Sequence, residues 1–209
     1  LGDWEIDKRK YPEGLAPLIQ YVNQIGMEFG IWFEPEMVSP NSKLFKNNPD
    51  WILGKKNQTL GRNQLVLDLN IKEVQSYLFE KISKILFENK ISYIKWDHNR
   101  VLPFPDHNQA NGFYRLLDRL RTAFPNVEFE SCSSGGGRID YGVLSTTHRV
   151  WLSDSNDAMV RFKMQNNASV WLPSEVVGSH VGPRKCHTSG RIFDISLRAW
   201  VAASRHMGF

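Results

Sequence analysis

Short apolar runs that end in polar residues alternate with longer amphipathic patterns along this chain, and this alternation is the strongest constraint on its fold. The short runs suit buried strands, whereas apolar residues spaced three and four apart in the longer segments suit helices. The predicted strands cover residues 29–33, 65–69, 92–96, 127–131, 149–152 and 176–181. The predicted helices cover residues 12–26, 42–48, 71–89, 108–123, 158–170 and 191–207.

Repeated strand and helix units predict an α/β fold built on a parallel sheet. Polar and acidic residues follow nearly every predicted strand, which favours a (β/α)8 TIM barrel over a doubly wound sheet. A complete barrel has eight strands and typically ~250 residues, whereas about six strands are predicted over 209 residues. We therefore predict an incomplete barrel whose first and last strands lie outside this chain. Residues 1–209 would form a single catalytic domain of a longer multidomain enzyme.

Charge and cysteine content exclude several classes of protein. The net charge of +4 is spread along the chain, without the basic stripe and interleaved aromatic residues of a nucleic-acid-binding surface. No run approaches the roughly 18 apolar residues of a membrane span. Two cysteines are too few for a disulfide framework, and no secretory signal peptide is evident. We expect a cytoplasmic protein that binds neither nucleic acid nor a membrane.

Two acidic segments carry the strongest chemical signal. Lys95, Asp97 and Asn99 alternate at the end of the predicted strand 92–96, so their side chains point to one face. Asp154 follows the predicted strand 149–152. Two carboxylates at two strand ends are what glycoside hydrolysis needs. The alternative for Asp97 is a buried structural ion pair with Lys95.

Other polar segments near the strand ends have structural interpretations. Glu34 and Glu36 follow the predicted strand 29–33, but Pro35 argues against a continued central strand, so we expect them to support the mouth of the barrel. The glycine-rich residues 134–138 match neither the dinucleotide-binding pattern nor the P-loop pattern. They would form either a flexible loop or a backbone that a ligand can approach closely.

Two tryptophans and a cysteine have two interpretations each. Trp32 and Trp151 could fill the core or form an apolar wall against a sugar. Cys132 could be a small core residue or part of a pocket lining. The six histidines are scattered singly, so neither a metal site nor a cofactor is expected.

Six segments in order resemble the catalytic barrel of glycoside hydrolase family 36, the bacterial α-galactosidases. They are residues 2–4, 30–38, 61–68, 95–100, 130–138 and 151–154. The family's opening Asp-Asp-Gly-Trp strand is absent, as are the β-sandwich domain that precedes the barrel and the C-terminal sheet domain. The acid/base segment reads Ser-Asp-Ser-Asn-Asp, where the family more often has Ser-Asp-Asn-Thr-Asp.

The resemblance implies roles for particular residues. Asp97 would be the nucleophile, and Asp154 the general acid and then the general base. Lys95 and Asn99 would bind sugar hydroxyls. Further substrate contacts would come from Trp32, Arg62, Cys132, Gly135 and Trp151.

The resemblance also implies a reaction. The expected activity is a retaining exo-α-galactosidase that hydrolyses terminal α-D-galactosyl residues of melibiose or raffinose type by double displacement. It would need no cofactor, and the full-length parent would form a homo-oligomer. The alternatives are an α-N-acetylgalactosaminidase, which the pocket around residues 132–135 would decide, a transglycosylase, and a catalytically silent carbohydrate-binding fragment.

Overall fold

A computed structural model describes all residues from 1 to 209. The chain divides into two compact units, Leu1–Phe129 and Glu130–Phe209. Strand β5 (Glu128–Ser131) begins in the first unit and ends in the second. The other elements of the first unit are α1 (Ala16–Gln24), β1 (Gly30–Phe33), β2 (Met37–Val38), α2 (Lys43–Asn47), β3 (Leu65–Val66), α3 (Lys72–Glu88), β4 (Tyr93–Trp96) and α4 (His107–Ala123).

The core of the first unit lies between parallel strands and the apolar faces of α3 and α4. Strands β1 and β4 pair in parallel, with Phe33 opposite Trp96. Trp96 is fully buried, and its ring lies 5.7 Å from that of Phe113 on α4. The predicted core faces of both helices are buried: Val74, Leu78, Ile82 and Leu86 on α3, and Phe113, Leu116, Leu117 and Leu120 on α4.

The predicted strand 65–69 was wrong in extent and in orientation. Only Leu65 and Val66 form a strand, and they pair with β2 in an antiparallel two-stranded sheet. Beyond Val66 the backbone bonds elsewhere, since Asp68 N donates to Trp51 O at 2.9 Å and Leu69 N to Gln109 Oε1 at 2.8 Å. This segment therefore does not supply a parallel strand, although its leucines are buried.

The second unit contains further parallel pairs. Its elements after β5 are α5 (Tyr141–Thr146), β6 (Arg149–Trp151), α6 (Ala158–Ala168), a 3₁₀ turn (Ser174–Val176), β7 (Val177–His180), α7 (Ile195–Ala203) and β8 (His206–Gly208). Strands β5, β6, β7 and β8 pair in parallel, each with the next. Together with β1 and β4, six strands take part in parallel pairs, which confirms the α/β class.

The predicted helix 191–207 was also wrong, because it contains a loop, a shorter helix and a strand. The Asp194 carboxylate accepts from Leu197 N at 2.8 Å and so begins α7 at Ile195. After the helix, His206 enters a parallel register opposite Gly178 of β7. The apolar residues around position 207 belong to β8 rather than to a helix face. Helix α5 and strand β2 were not predicted.

No helix combines the length and the apolar character that a membrane crossing needs.

Candidate active site

Asp97 directly follows β4, and groups from two strand ends hold its carboxylate. Asp97 N donates to Phe33 O at 2.8 Å, which extends the ladder between β1 and β4. The carboxylate Oδ2 accepts from Trp32 Nε1 at 3.0 Å and from Asn99 Nδ2 at 2.7 Å. His98 N donates to Oδ1 at 2.8 Å. Donors on both oxygens therefore fix the orientation of a largely buried carboxylate.

Lys95 lies opposite Trp32 in the register of β1 and β4 and is half-buried. It precedes Asp97 by two residues, the spacing that places strand side chains on one face. The ladder thus places Lys95 and Trp32 in neighbouring positions just before the carboxylate.

Two buried glutamates after β1 support the segment that carries Asp97. Glu34 Oε1 accepts from Asn99 N at 2.8 Å. Glu36 Oε1 accepts from Trp96 Nε1 at 2.9 Å, and its Oε2 lies 3.6 Å from His98 Nδ1. Both glutamate side chains are at most 3% exposed. These contacts agree with the structural role that we predicted for the two glutamates.

Arg62 occupies a tight turn that reaches toward the same segment. Arg62 and Asn63 both have positive φ angles, of 52° and 61°. Gly61 and Gln64 exchange backbone hydrogen bonds across them, at 2.9 and 3.1 Å, as in a two-residue hairpin turn. The Arg62 side chain is 60% exposed, and its Nη1 lies 4.0 Å from Glu34 Oε1. An exposed cation beside the Asp97 segment is available to a polar ligand.

Arg100 links the Arg62 turn to the segment that follows Asp97 through hydrogen bonds. Its guanidinium donates to Gln64 O at 2.8 Å, to Thr59 O at 3.0 Å and to Gln58 Oε1 at 3.1 Å. A Cβ at Gly61 would lie only 2.8 Å from Arg100 Cβ. A glycine at this position therefore lets the arginine pass close to the turn.

In the second unit, Asp154 is paired with the last residue of β6. Trp151 is 2% exposed, and its Nε1 donates to Asp154 Oδ1 at 2.8 Å. Asp154 itself is exposed. One carboxylate oxygen is therefore held in place, whereas the side chain stays accessible to solvent.

Arg161 packs against the Trp151 ring and binds the backbone on both sides of Asp154. Its Nη2 donates to Ser153 O, its Nε to Ser155 O at 2.9 Å, and its Nη1 to Gly178 O at 3.3 Å. The guanidinium carbon lies 4.0 Å from the centroid of the Trp151 ring. Burial lowers the pKa of Arg161 to about 10, while the negative charge of Asp154 acts in the opposite direction.

Asp157 anchors a second loop to the start of α6. Its fully buried carboxylate accepts from Met159 N and Val160 N, both at 3.0 Å, and so caps the helix. The same carboxylate accepts from Ser189 Oγ and, at 2.7 and 2.8 Å, from the guanidinium of Arg191. Burial raises the pKa of Asp157, but these hydrogen bonds outweigh that effect and hold it below its ordinary value.

Gly135 lies in a loop that packs against the Asp154 segment. The loop after β5 closes through Ser133 N to Gly135 O at 2.8 Å, and Gly135 has a φ of 86°. A Cβ there would lie 2.8 Å from Ser153 Cα. The close approach permitted by this glycine is therefore to protein backbone. Cys132, at the start of the loop, is buried.

Comparison with known proteins assigns this arrangement to a family. The Melibiase family matches residues 1–209, the whole chain. The chain belongs to the Melibiase family. This confirms the resemblance to glycoside hydrolase family 36 that the sequence motifs indicated.

Relatives of this Melibiase chain share its sequence over its full length. An α-galactosidase of Escherichia coli is 50% identical over 217 residues, which cover 100% of this chain and 31% of that protein. The α-galactosidase AgaA of Geobacillus stearothermophilus is 42% identical over 225 residues, with the same coverage of 100% and 31%. The chain thus spans about a third of the length of these relatives.

Solved structures show the same fold. The crystal structure of the family 36 α-galactosidase AgaA superposes with a TM-score of 0.94 at 42% identity and covers 100% of this chain and 31% of its own. A variant of AgaA in complex with raffinose gives a TM-score of 0.94 at 41% identity, with the same coverage. These residues therefore adopt the fold of the matching part of AgaA.

The structure brings some of the predicted site residues into direct contact. In the first unit, Trp32 and Asn99 bond to Asp97. In the second unit, Trp151 bonds to Asp154. Arg62 contacts Glu34 rather than Asp97. Gly135 lies in the loop that packs against Ser153, and Cys132 directly precedes that loop.

Sequence reasoning missed the supporting roles of Arg100 beside the Asp97 segment and of Asp157 and Arg161 beside the Asp154 segment. Each of them binds backbone or a neighbouring charge from a position that is not at a strand end. Arg100 lies in the segment 95–100 that carries the resemblance, and Asp157 directly precedes a predicted helix, as a typical N-cap does.

Proposed function

We propose that the protein is a retaining α-galactosidase that removes terminal α-D-galactosyl residues from oligosaccharides of the melibiose and raffinose type. The observation that carries this proposal is the Asp97 carboxylate, held on both oxygens by Trp32, His98 and Asn99 at the end of a buried strand. The relatives support the substrate class, since AgaA was solved in complex with raffinose and with stachyose.

Both carboxyl groups take part in each step of the proposed double displacement. The Asp97 carboxylate attacks the anomeric carbon while the glycosidic C–O bond breaks, and the Asp154 carboxyl donates its proton to the departing oxygen. A water molecule then attacks the anomeric carbon of the galactosyl ester. Asp154, now a carboxylate, takes the proton of the water, and the bond to Asp97 breaks. Two inversions give net retention.

The neighbouring groups suit these roles. Trp32 and Asn99 hold the nucleophile in one orientation, and Asp97 remains 7% exposed. Asp154 is held at one oxygen by Trp151 and is exposed, so the carboxyl can exchange protons with a leaving group and with water. Lys95 and Arg62 would bind sugar hydroxyls, and Cys132 and Gly135 would line the sugar pocket.

The finer architecture is part of the same proposal. Six strands in parallel pairs are consistent with a (β/α)8 barrel, and we propose that its remaining strands lie outside residues 1–209 in a longer multidomain enzyme. A cytoplasmic location and assembly into a homo-oligomer stay predictions.

The test measures hydrolysis of raffinose and of an aryl α-galactoside by the protein with its natural flanking sequence. Asp97→Asn is expected to remove activity toward both substrates. Asp154→Asn is expected to lose raffinose hydrolysis but to retain part of the bond-cleavage step with the aryl substrate, because a good leaving group needs little protonation. Asp118→Asn, an exposed carboxylate on α4, is the matched control and should retain full activity.

Three outcomes would contradict the proposal. Turnover that survives Asp97→Asn would show that another group is the nucleophile. A cooperatively folded wild-type protein that hydrolyses neither substrate would exclude the α-galactosidase activity. Activity on an aryl α-N-acetylgalactosaminide alone would assign the protein to the other specificity.

A further inference from the structure

We propose that Arg161 is a positioning residue for the general acid/base, holding the backbone and the ring that orient the Asp154 carboxyl. The inference rests on the proposed function of Asp154 as proton donor. Arg161 is the fourth residue of α6 and lies on the helix rather than at a strand end.

The contacts of Arg161 converge on the residues that surround Asp154. Two of its nitrogens bind the carbonyl groups of Ser153 and Ser155, the residues on either side of Asp154. Its planar face covers the ring of Trp151, whose Nε1 binds Asp154 Oδ1. The guanidinium therefore fixes both the backbone that carries the carboxyl and the donor that orients it.

The burial of Arg161 is unusual for a structural residue. The side chain is among the largest that are fully buried, at 1% exposure. Its hydrogen bonds all go to carbonyl oxygens and none to a carboxylate. A buried cation without a directly bonded counter-ion is costly to fold. Such a residue is expected where its geometry or its charge serves the site.

The chemistry explains why an arginine is needed. A guanidinium presents five N–H donors in one plane and can bind three carbonyls while it stacks on an aromatic ring. A lysine ammonium has three donors on a flexible stem and cannot do both. Arg161→Lys should therefore keep the positive charge but no longer hold the backbone carbonyls and the Trp151 ring in position.

Charged and titratable groups surround the Arg161 guanidinium. Asp154 on the loop after β6 and Glu130 on β5 both act on it electrostatically. His180 on β7 lies against the Trp151 ring, with centroids 4.4 Å apart. Arg161 therefore places a positive charge that interacts with Asp154, and replacing it with a neutral side chain removes that interaction.

The decisive experiment compares kcat/KM for two leaving groups in the wild type and in two variants. This ratio reports events up to glycosylation, the first irreversible step, where the general acid acts. For Arg161→Lys, we expect raffinose hydrolysis to fall about 10- to 100-fold, within the range that general acid–base catalysis contributes. Hydrolysis of an aryl α-galactoside with an acidic phenol should fall less than about fivefold. Lys163→Gln, an exposed change on the same helix, should leave both values unchanged.

The pH profile of kcat/KM separates the effect of the Arg161 charge from the effect of Arg161 on the position of Asp154. Arg161→Gln should move the basic limb of kcat/KM for raffinose to higher pH, whereas Arg161→Lys should leave that limb near its wild-type position. Trp151→Phe removes the donor to Asp154 but keeps a ring. Combined with Arg161→Lys, it should add less than the sum of the two single effects, because both changes act on one carboxyl.

Equal losses for both leaving groups, with the basic limb unmoved in Arg161→Gln, would overturn the proposal and leave Arg161 a purely structural residue. Hydrogen exchange gives a readout that does not depend on activity. The amides of residues 153–155 should exchange faster in Arg161→Lys than in Lys163→Gln, even if the wild-type protein hydrolyses no galactoside and the proposed function fails. Unchanged exchange there would overturn the positioning role itself.

Discussion

Replacing Asp157 tests whether one carboxylate holds both a helix and a loop. Asp157 caps α6 by accepting two N–H groups at Oδ1, and it binds Ser189 through Oδ2 and Arg191 through both oxygens. Asparagine caps helices about as well as aspartate. Asp157→Asn therefore keeps the cap and removes the charge-assisted bonds to Arg191, whereas Asp157→Ala removes both.

The magnitudes follow from these contacts. Hydrogen bonds to charged groups contribute ~1.5–3 kcal/mol each, but Arg191 is 49% exposed, so solvent screening reduces the value of the pair. We expect Asp157→Asn to cost about 2 kcal/mol and Asp157→Ala about 3 kcal/mol, the difference being the ~1 kcal/mol of a helix cap. For a protein of this size, about 2 kcal/mol lowers the Tm by roughly 4–8 °C.

Asp194 provides the matched control, since it caps α7 through Leu197 N without a bonded arginine guanidinium on its carboxylate. Asp194→Asn should change stability by less than about 0.5 kcal/mol, and Asp194→Ala by about 1 kcal/mol. Urea unfolding measures the global effect. Hydrogen exchange of the amides of residues 184–193 measures the loosening of the loop.

The pH dependence has a definite sign. The folded-state pKa of Asp157 lies below its ordinary value, so its contribution is complete above the unfolded pKa of about 3.9 and is lost as the pH falls through the folded pKa. The stability difference between wild type and Asp157→Asn should therefore be constant near neutrality and shrink in acid. A difference no larger than that of Asp194→Asn, or one that persists unchanged in acid, would refute this reasoning.

Three further changes test the packing and the site. Gly112→Ala should destabilise the protein by about 1–2 kcal/mol despite the gain in helix propensity, because its Cβ would lie 2.5 Å from Leu69 O; urea unfolding of this variant measures it. Gln109→Leu should cost about 2 kcal/mol in the same assay, since the buried amide bonds Leu69 N and Leu67 O. Trp32→Phe should lower kcat/KM for both galactosides about tenfold by removing a donor to Asp97, with unchanged melting.

The spacing of apolar residues correctly predicted the helices and strands that bury one apolar face. The apolar faces of α3 and α4 and the strands around Ile94 and Phe129 follow from spacing alone, because each buries one face against the rest of its unit. Residues 65–69 have the same apolar character, yet they are buried without forming a parallel strand. A run of buried leucines does not encode its hydrogen-bonding partners.

The candidate site was predictable only in part, for a similar reason. The motifs placed Asp97 and Asp154 at strand ends, where the structure has them. Their partners are fixed by the fold, since Trp32 is 65 residues from Asp97 in the sequence. Within α6, Arg161 is buried and Lys163 is exposed, and sequence spacing alone did not separate these two cations.

The start of α6 holds two loops in place at once, because two of its residues bind different loops. Asp157 and Arg161 are four residues apart, a spacing that places side chains on one face of a helix. One binds the loop at 189–191, and the other binds the carbonyls beside Asp154. Inserting one residue between them would rotate Arg161 by about 100° and break one set of contacts. Natural variation here should therefore replace residues at exposed positions such as Met159 and Val160 while conserving the length of the segment.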